Sequence, residues 1–226
     1  MRTKENFILL IISIVLLALF ILIASLVYTY GGNLLIDNSI RDFFYSIRGE
    51  KYGFIYWIFR ILTEFGYIYF IVLGLIATLI YTKLDYRWCL LFIGVVLTTL
   101  INRSIKDVFS RQRPEEAMWW MEESSNSFPS GHATSAGFIY PFIAFSFYKS
   151  KYSMKVKNIS YAICSALLTI VMISRLVLGV HYFTDVLAGA ISGAFISVLL
   201  MIASNYCSIN GILTLGILDK NKDNGN

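Results

Sequence analysis

Long uncharged runs separated by short charged joints dominate the chain. Phe7 to Tyr28 is an uncharged run of 22 residues behind Arg2 and Lys4. A signal-peptide core is roughly 7–15 residues and a membrane-crossing helix needs about 20, so a retained membrane anchor is expected here. Further apolar segments follow at Tyr67 to Thr82, Trp88 to Asn102, Ala133 to Tyr148, Ile159 to Ile173 and Val186 to Ala203. The shorter ones run at their ends into residues suited to a headgroup zone or a bundle interior. The pattern predicts an all-α, polytopic membrane protein: a six-transmembrane-helix bundle forming one membrane-embedded domain over residues 1–226, with 204–226 as a cytoplasmic tail. Between the first two spans, Leu35, Ile36, Ile40, Phe43, Phe44 and Ile47 recur near helical spacing, with Asp37, Arg41 and Asp42 interleaved. A short interfacial helix in the first outer loop is expected, either packed over the bundle mouth or gating lipid entry. Trp57, Trp119 and Trp120 suit the aromatic belts, and Gly189 with Gly193 a close helix contact.

Composition agrees with this pattern. Of 226 residues, 57% are hydrophobic and 15% charged, with a mean hydropathy of +0.67. Soluble domains carry about 45–50% apolar and about 25% charged residues, so a water-facing globule and a disordered chain are both excluded. Cys89, Cys164 and Cys207 lie in or beside apolar runs without ligand spacing and read as buried small hydrophobes. Charge sets the orientation. Arg2, Lys4, Lys83, Arg87, Lys149, Lys151, Lys155, Lys157, Lys220 and Lys222 fall on one side, with the four lysines from 149 to 157 as the firmest anchor. The positive-inside rule makes that side cytoplasmic, with both termini, and puts Lys106 to His132 and Gly179 to Asp185 outside.

Three polar stretches share that outer face. Lys106 and Arg113 are seven residues apart, which on a continuing helix gives two turns on one face before Pro114 stops it. Two fixed cations suit a phosphate dianion; they also suit a helix C-terminus and snorkelling to headgroups. Ser127-Phe-Pro-Ser130-Gly131-His132 comes directly before the fourth span. There a hydroxyl and free backbone N–H groups at a helix N-terminus make an anion site, or Ser130 is an ordinary N-cap. Last, Ser174-Arg175 is followed by Gly179, His181 and Asp185. If that segment is helical, His181 and Asp185 meet at i,i+4, and the carboxylate fixes the tautomer that leaves one ring nitrogen free to attack. His132 and His181 are the only two histidines in the chain, in a setting where ionisable rings are rare without a use.

Together the stretches resemble the signature motifs of the type 2 phosphatidic acid phosphatase superfamily, in its integral-membrane lipid phosphatase branch. That signature is Lys, six residues, Arg-Pro; then Pro-Ser-Gly-His; then Ser-Arg, three residues, Gly, one residue, His, three residues, Asp. Lys106, Arg113, Pro114, Pro129, Ser130, Gly131, His132, Ser174, Arg175, Gly179, His181 and Asp185 match in order across 106–185. The resemblance implies a phosphatase domain working through a phosphohistidine. His181 is its nucleophile, Asp185 orients it, and His132 is acid and then base. Lys106, Arg113, Ser130, Gly131 and Arg175 hold the phosphate. It implies no metal and no cofactor, a lipid phosphate drawn from the bilayer, and no nucleic-acid partner.

Substrates implied for small six-helix bacterial members are undecaprenyl pyrophosphate, phosphatidylglycerol phosphate, phosphatidic acid or diacylglycerol pyrophosphate. An outward site favours undecaprenyl pyrophosphate. A phosphotransferase using the same phosphohistidine, and a lipid or small-molecule permease, are the rival functions. Permease sites lie near the midplane on broken helices, whereas these cations gather at helix ends. Glu115, Glu116, Glu122 and Glu123, beside Trp119 and Trp120, read as a solvated interfacial loop.

Overall fold

The computed structural model describes residues 2–32, 34–66, 86–150 and 152–210, all helix or loop with no strand among them. The helices are α1 (Arg2–Tyr30), α2 (Leu35–Ile47), α3 (Phe54–Leu62), α4 (Tyr86–Phe109), α5 (Gly131–Tyr148), α6 (Met154–Val177) and α7 (Phe183–Asn210), with short 3-10 turns at Thr63–Gly66 and Glu116–Met118. Four of them are long and apolar enough to cross a membrane: α1 over Lys4–Tyr30, α4 over Cys89–Phe109, α6 over Met154–Val177 and α7 over Phe183–Cys207. The span expected at Tyr67 to Thr82 lies outside the described residues. The one expected at Ala133 to Tyr148 is α5, which fills the middle of the bundle with Ala136, Phe138 and Phe142 fully enclosed. The last helix runs to Asn210 instead of ending at Ala203, so the first part of the expected tail continues the span.

Exposure follows the lipid reading. Phe7, Leu10, Ile11, Ile14, Ile21 and Leu22 of α1 are all turned outward, an apolar face no water-soluble helix would show. The inner faces make a core of Leu91, Val95, Phe138, Phe142, Ile196 and Met201, contributed by α4, α5 and α7. On α1, Ile23, Ala24 and Val27 turn inward onto Ala188 and Phe128. Of the cysteines only Cys164 is buried, while Cys89 is exposed. Trp120 also departs from expectation. It is buried against Tyr56, Val177, Leu178 and Val180, because the loop that carries it folds over the end of α6.

Small residues set the closest helix contact. A Cβ on Gly193 would lie 2.1 Å from the Thr134 carbonyl oxygen, one on Gly189 2.6 Å from that of Ser130, and one on Gly137 2.3 Å from that of Ala190. Here α5 and α7 meet backbone to backbone, which fixes the start of α5 against the start of α7. Gly189 and Gly193 therefore serve packing within the chain.

The polar ends sort by side. Lys149 pairs with Glu5 at 2.5 Å, Asn205 Nδ2 donates to Asn6 Oδ1 at 2.8 Å, and Arg87 donates to the Ser146 carbonyl at 3.1 Å. That brings the starts of α1 and α4 beside the ends of α5 and α7. At the opposite end, Ser130 N–H donates to the Asp185 carbonyl at 3.0 Å, Ser127 N–H to that of Arg111 at 2.8 Å and Trp120 N–H to that of Leu178 at 2.9 Å. The three signature stretches meet there, away from the basic joints. Helix ends explain the turns: α1 stops at Gly31 (φ 58°) and α6 just before Gly179 (φ 75°), both in the left-handed conformation that glycine adopts without strain.

Replacing Gly193 by Ala forces the α5–α7 backbones apart. Overpacking of this kind costs about 1–3 kcal/mol, so the variant should melt well below wild type in detergent. Leu10→Ala, on the outward face of α1, should leave the midpoint nearly unchanged.

Candidate active site

Lys106 sits on the last turn of α4, but Arg113 does not share its helix face. The helix ends at Phe109, four residues before the arginine, because Ser110 turns the chain with a φ of 45°. The two cations still converge: Lys106 Nζ and Arg113 Nη2 both donate to the Asn126 carbonyl. Arg175, on the last turn of α6, reaches the same space with a side chain wholly removed from solvent. Its Nη1 donates to Thr63 Oγ1 at 2.9 Å.

His181 lies in the turn before α7, so its meeting with Asp185 does not come from a continuous helix. Asp185 stands in the first turn of α7, and its Oδ2 accepts the Tyr182 N–H at 2.9 Å, reaching back to cap that helix. The same oxygen lies 3.5 Å from His181 Nδ1. Ser127 Oγ donates to it as well and stands 3.4 Å from Nδ1. A proton on Nδ1 suits these two oxygens and leaves the lone pair on Nε2. Arg113 Nη1 is 3.0 Å from that Nε2. Burial, then the charges of Arg113, Arg175 and Lys106, hold the His181 pKa well below the usual imidazole value. The ring is neutral at neutral pH, as a nucleophile requires.

Ser130 occupies the N-cap position of α5 without making a side-chain cap bond, and its buried Oγ has no hydrogen-bond partner among the described residues. Simple capping is therefore not its use. A Cβ on Gly131 would meet only Asn102 Oδ1, at 3.5 Å, an ordinary contact, so packing alone does not demand glycine there. His132 is the second residue of α5 and lines, with Thr98, Asn102, Gly131 and Ser135, a pocket of about 180 Å³ between α4 and α5. A second, polar pocket of about 610 Å³ is lined by Arg41, Gln112, Arg113, Glu115, Trp119 and Tyr182. Among the described residues no three His, Cys, Asp or Glu side chains gather as a metal site.

Four contributors were not singled out from sequence. Arg111 is 6% exposed. It pairs with Asp185 at 2.5 Å and with Asp37 at 2.8 Å, donates to the Gly31 carbonyl at 2.7 Å, and lies over the Tyr182 ring. Asp37, read as a polar position of an interfacial helix, is fully buried and accepts the Thr184 N–H at 2.8 Å and its hydroxyl at 2.7 Å. So α2 is tied to the start of α7 and to Arg111. Ser127 completes the Asp185 shell. Glu123 is no free loop carboxylate: it pairs with Arg113 at 3.3 Å and with Arg175.

Comparison with known proteins follows this geometry. A model of the PAP2 superfamily matches residues 87–209. The chain belongs to the PAP2 superfamily. Among its relatives, phosphatidylglycerophosphatase B of Bacillus subtilis (strain 168) is 43% identical over 91 residues, 40% of this chain and 44% of that protein. Lipid A 1-phosphatase of Rhizobium johnstonii is 30% identical over 128 residues, 53% and 48% of the two chains. The chain spans about half the length of these curated relatives. Its fold resembles the crystal structure of the first transmembrane PAP2 type phosphatidylglycerolphosphate phosphatase from Bacillus subtilis, with a TM-score of 0.77 and 26% identity over 90% of this chain and 98% of that one. The Aquifex aeolicus LpxE structure shares the fold, with a TM-score of 0.61 and 20% identity over 75% and 96%. The chain is thus an all-helical, multi-pass membrane PAP2 protein.

Within this PAP2 site the two carboxylates Asp37 and Asp185 share one buried cation. Arg111→Leu leaves both uncompensated, and breaking a buried pair this way costs about 3–5 kcal/mol. The expected outcome is a large loss of thermal stability in detergent, greater than that of Asp37→Asn, which keeps hydrogen-bonding capacity; an unchanged melting midpoint in Arg111→Leu would contradict the bridging role.

Proposed function

We propose that this protein is a lipid phosphatase that passes a phosphoryl group from a lipid phosphate or pyrophosphate to His181 and then to water, without a metal. The observation that carries the reading is the His181 ring itself. Its Nδ1 side is backed by Asp185 and Ser127, and its Nε2 meets Arg113 at 3.0 Å beside Arg175 and Lys106. Nε2 attacks phosphorus in line, a P–N bond forms, and the P–O bond to the lipid breaks. His132 gives the leaving oxygen its proton. The imidazole gains positive charge, which Asp185 offsets. Water then loses a proton to His132, attacks phosphorus, and inorganic phosphate leaves as the P–N bond breaks. Lys106, Arg113 and Arg175, with Ser130 Oγ and the Gly131 N–H, hold the three non-bridging oxygens.

The bilayer reading completes this proposal. It keeps the six-span count expected from the apolar runs, of which the run at Tyr67 to Thr82 lies outside the described residues. The basic joints at Arg87, Lys149, Lys155 and Lys157 lie at the end away from the site, which supports the reading that this end and both termini are cytoplasmic and the site faces outside. An outer site favours undecaprenyl pyrophosphate, and the Bacillus subtilis relatives' names point to phosphatidylglycerol phosphate. Both carry a terminal phosphate on a lipid.

Purified protein in detergent with EDTA should release phosphate from one of these lipids, and His181→Ala should remove turnover while remaining folded. The pH profile of kcat/KM gives a second readout. Attack requires neutral His181, so activity falls as pH drops through its pKa. An unperturbed imidazole titrates near ~6.5, and His181 lies below that, so the acid limb should fall below about pH 6.5. Phosphate release surviving in His181→Ala, or an acid limb above that value, would overturn the assignment.

A further inference from the structure

Glu123 carries a negative charge into the group of cations that the proposed function assigns to the phosphate. Its side chain is 18% exposed, and its two oxygens are divided between Arg113 Nη2 and Arg175 Nη2. The two guanidiniums are nearly or wholly buried, so a carboxylate bridging them presents two oxygens much as a phosphoryl group would. An N–H directed at a carboxylate oxygen is not available to a phosphate oxygen.

Neither arginine depends on Glu123 for its place. Arg113 also donates from Nε to the Ser125 carbonyl at 2.8 Å and from Nη1 to that of Val180 at 2.7 Å. Arg175 Nη1 is held by Thr63 Oγ1 and by Met121 Sδ at 3.1 Å. Glu123 itself rides on the loop between the 3-10 turn at Glu116–Met118 and Pro129, which lets it withdraw without disturbing a helix.

We propose that Glu123 is a specificity-determining residue, a built-in anion that competes with the substrate for Arg113 and Arg175. The idea rests on the phosphatase reading of the site. A dianionic phosphomonoester or terminal pyrophosphate outweighs one carboxylate between two guanidiniums and displaces it. A phosphodiester has one negative charge and no advantage over a tethered carboxylate already in place, so the bulk diester lipids of a bilayer are kept off the site. After hydrolysis the returning carboxylate helps expel inorganic phosphate.

The test uses the full chain in detergent micelles, with Glu123→Gln, nearly isosteric and uncharged, and Glu123→Ala as a second variant. Folding is checked by thermal melting. Orthophosphate binding is measured by calorimetry, and inhibition of lipid phosphate hydrolysis by orthophosphate and by phosphatidylglycerol is measured in parallel. Loss of one charge-assisted competitor should tighten orthophosphate binding about tenfold. KM should fall with it, kcat should not rise, and phosphatidylglycerol should become an effective inhibitor. Unchanged or weaker orthophosphate binding in both folded variants would overturn the proposal, the weaker case showing that Glu123 merely positions the arginines. Calorimetry needs no turnover, so this result stands apart from whether the lipid panel is hydrolysed. Loss of turnover in His181→Ala beside an unaltered Glu123→Gln would sink the anion role alone.

Discussion

A guanidinium almost wholly removed from water has to be neutralised where it sits, and Arg111 is neutralised twice, by Asp37 of α2 and Asp185 of α7. Neither carboxylate could be buried without it. The constraint runs through the whole site. With Oδ1 fixed on Arg111, Asp185 turns Oδ2 toward Tyr182 N–H, Ser127 Oγ and His181 Nδ1. Asp37 meanwhile ties α2 to the N–H and hydroxyl of Thr184. The Gly31 carbonyl adds the end of α1. One side chain thereby locks three elements around the imidazole.

Helix packing supplies the other half of the positioning. Backbone contact between α5 and α7 at Gly137, Gly189 and Gly193 fixes the height of Ser130 and His132 against Asp185. Gly179 makes the turn that swings His181 back over the end of α6; a Cβ there would collide with Arg48 Nη1 at 2.6 Å and the Met118 carbonyl oxygen at 2.7 Å. Arg48 in turn donates to the Val177 carbonyl at 3.0 Å, satisfying an acceptor at the helix end. The dense charge of the site is sustained because its cations are paired, Arg111 with Asp37 and Asp185, and Arg113 and Arg175 with Glu123.

Much of this could be read from residue types and spacing. The apolar runs marked α1, α4, α5, α6 and α7, since burial in lipid leaves a long, unambiguous signal, and the signature residues lie at one end of these helices. Lys106 and Arg113 met by another route, because no helical pattern announces that Ser110 takes a left-handed turn. Arg111 stood inside the first signature among unassigned positions, and Asp37 looked like one polar face residue among several. Their partnership joins residues 74 apart, and no local periodicity encodes such a pair. Glu123 was hidden similarly: four acidic residues in a loop look alike until the fold carries one of them to Arg113 and Arg175.

Under the proposed function the three cations, the two histidines and Asp185 serve a single step, transfer of phosphorus to one ring nitrogen. Rapid quenching of the enzyme with a lipid phosphate, followed by mass spectrometry under alkaline conditions that preserve phosphoramidates, reads that step directly. Phosphate should be found on His181, accumulating when His132 is replaced by Ala because hydrolysis of the intermediate then slows. Phosphate on another side chain, or none on His181 while product still forms, would contradict it.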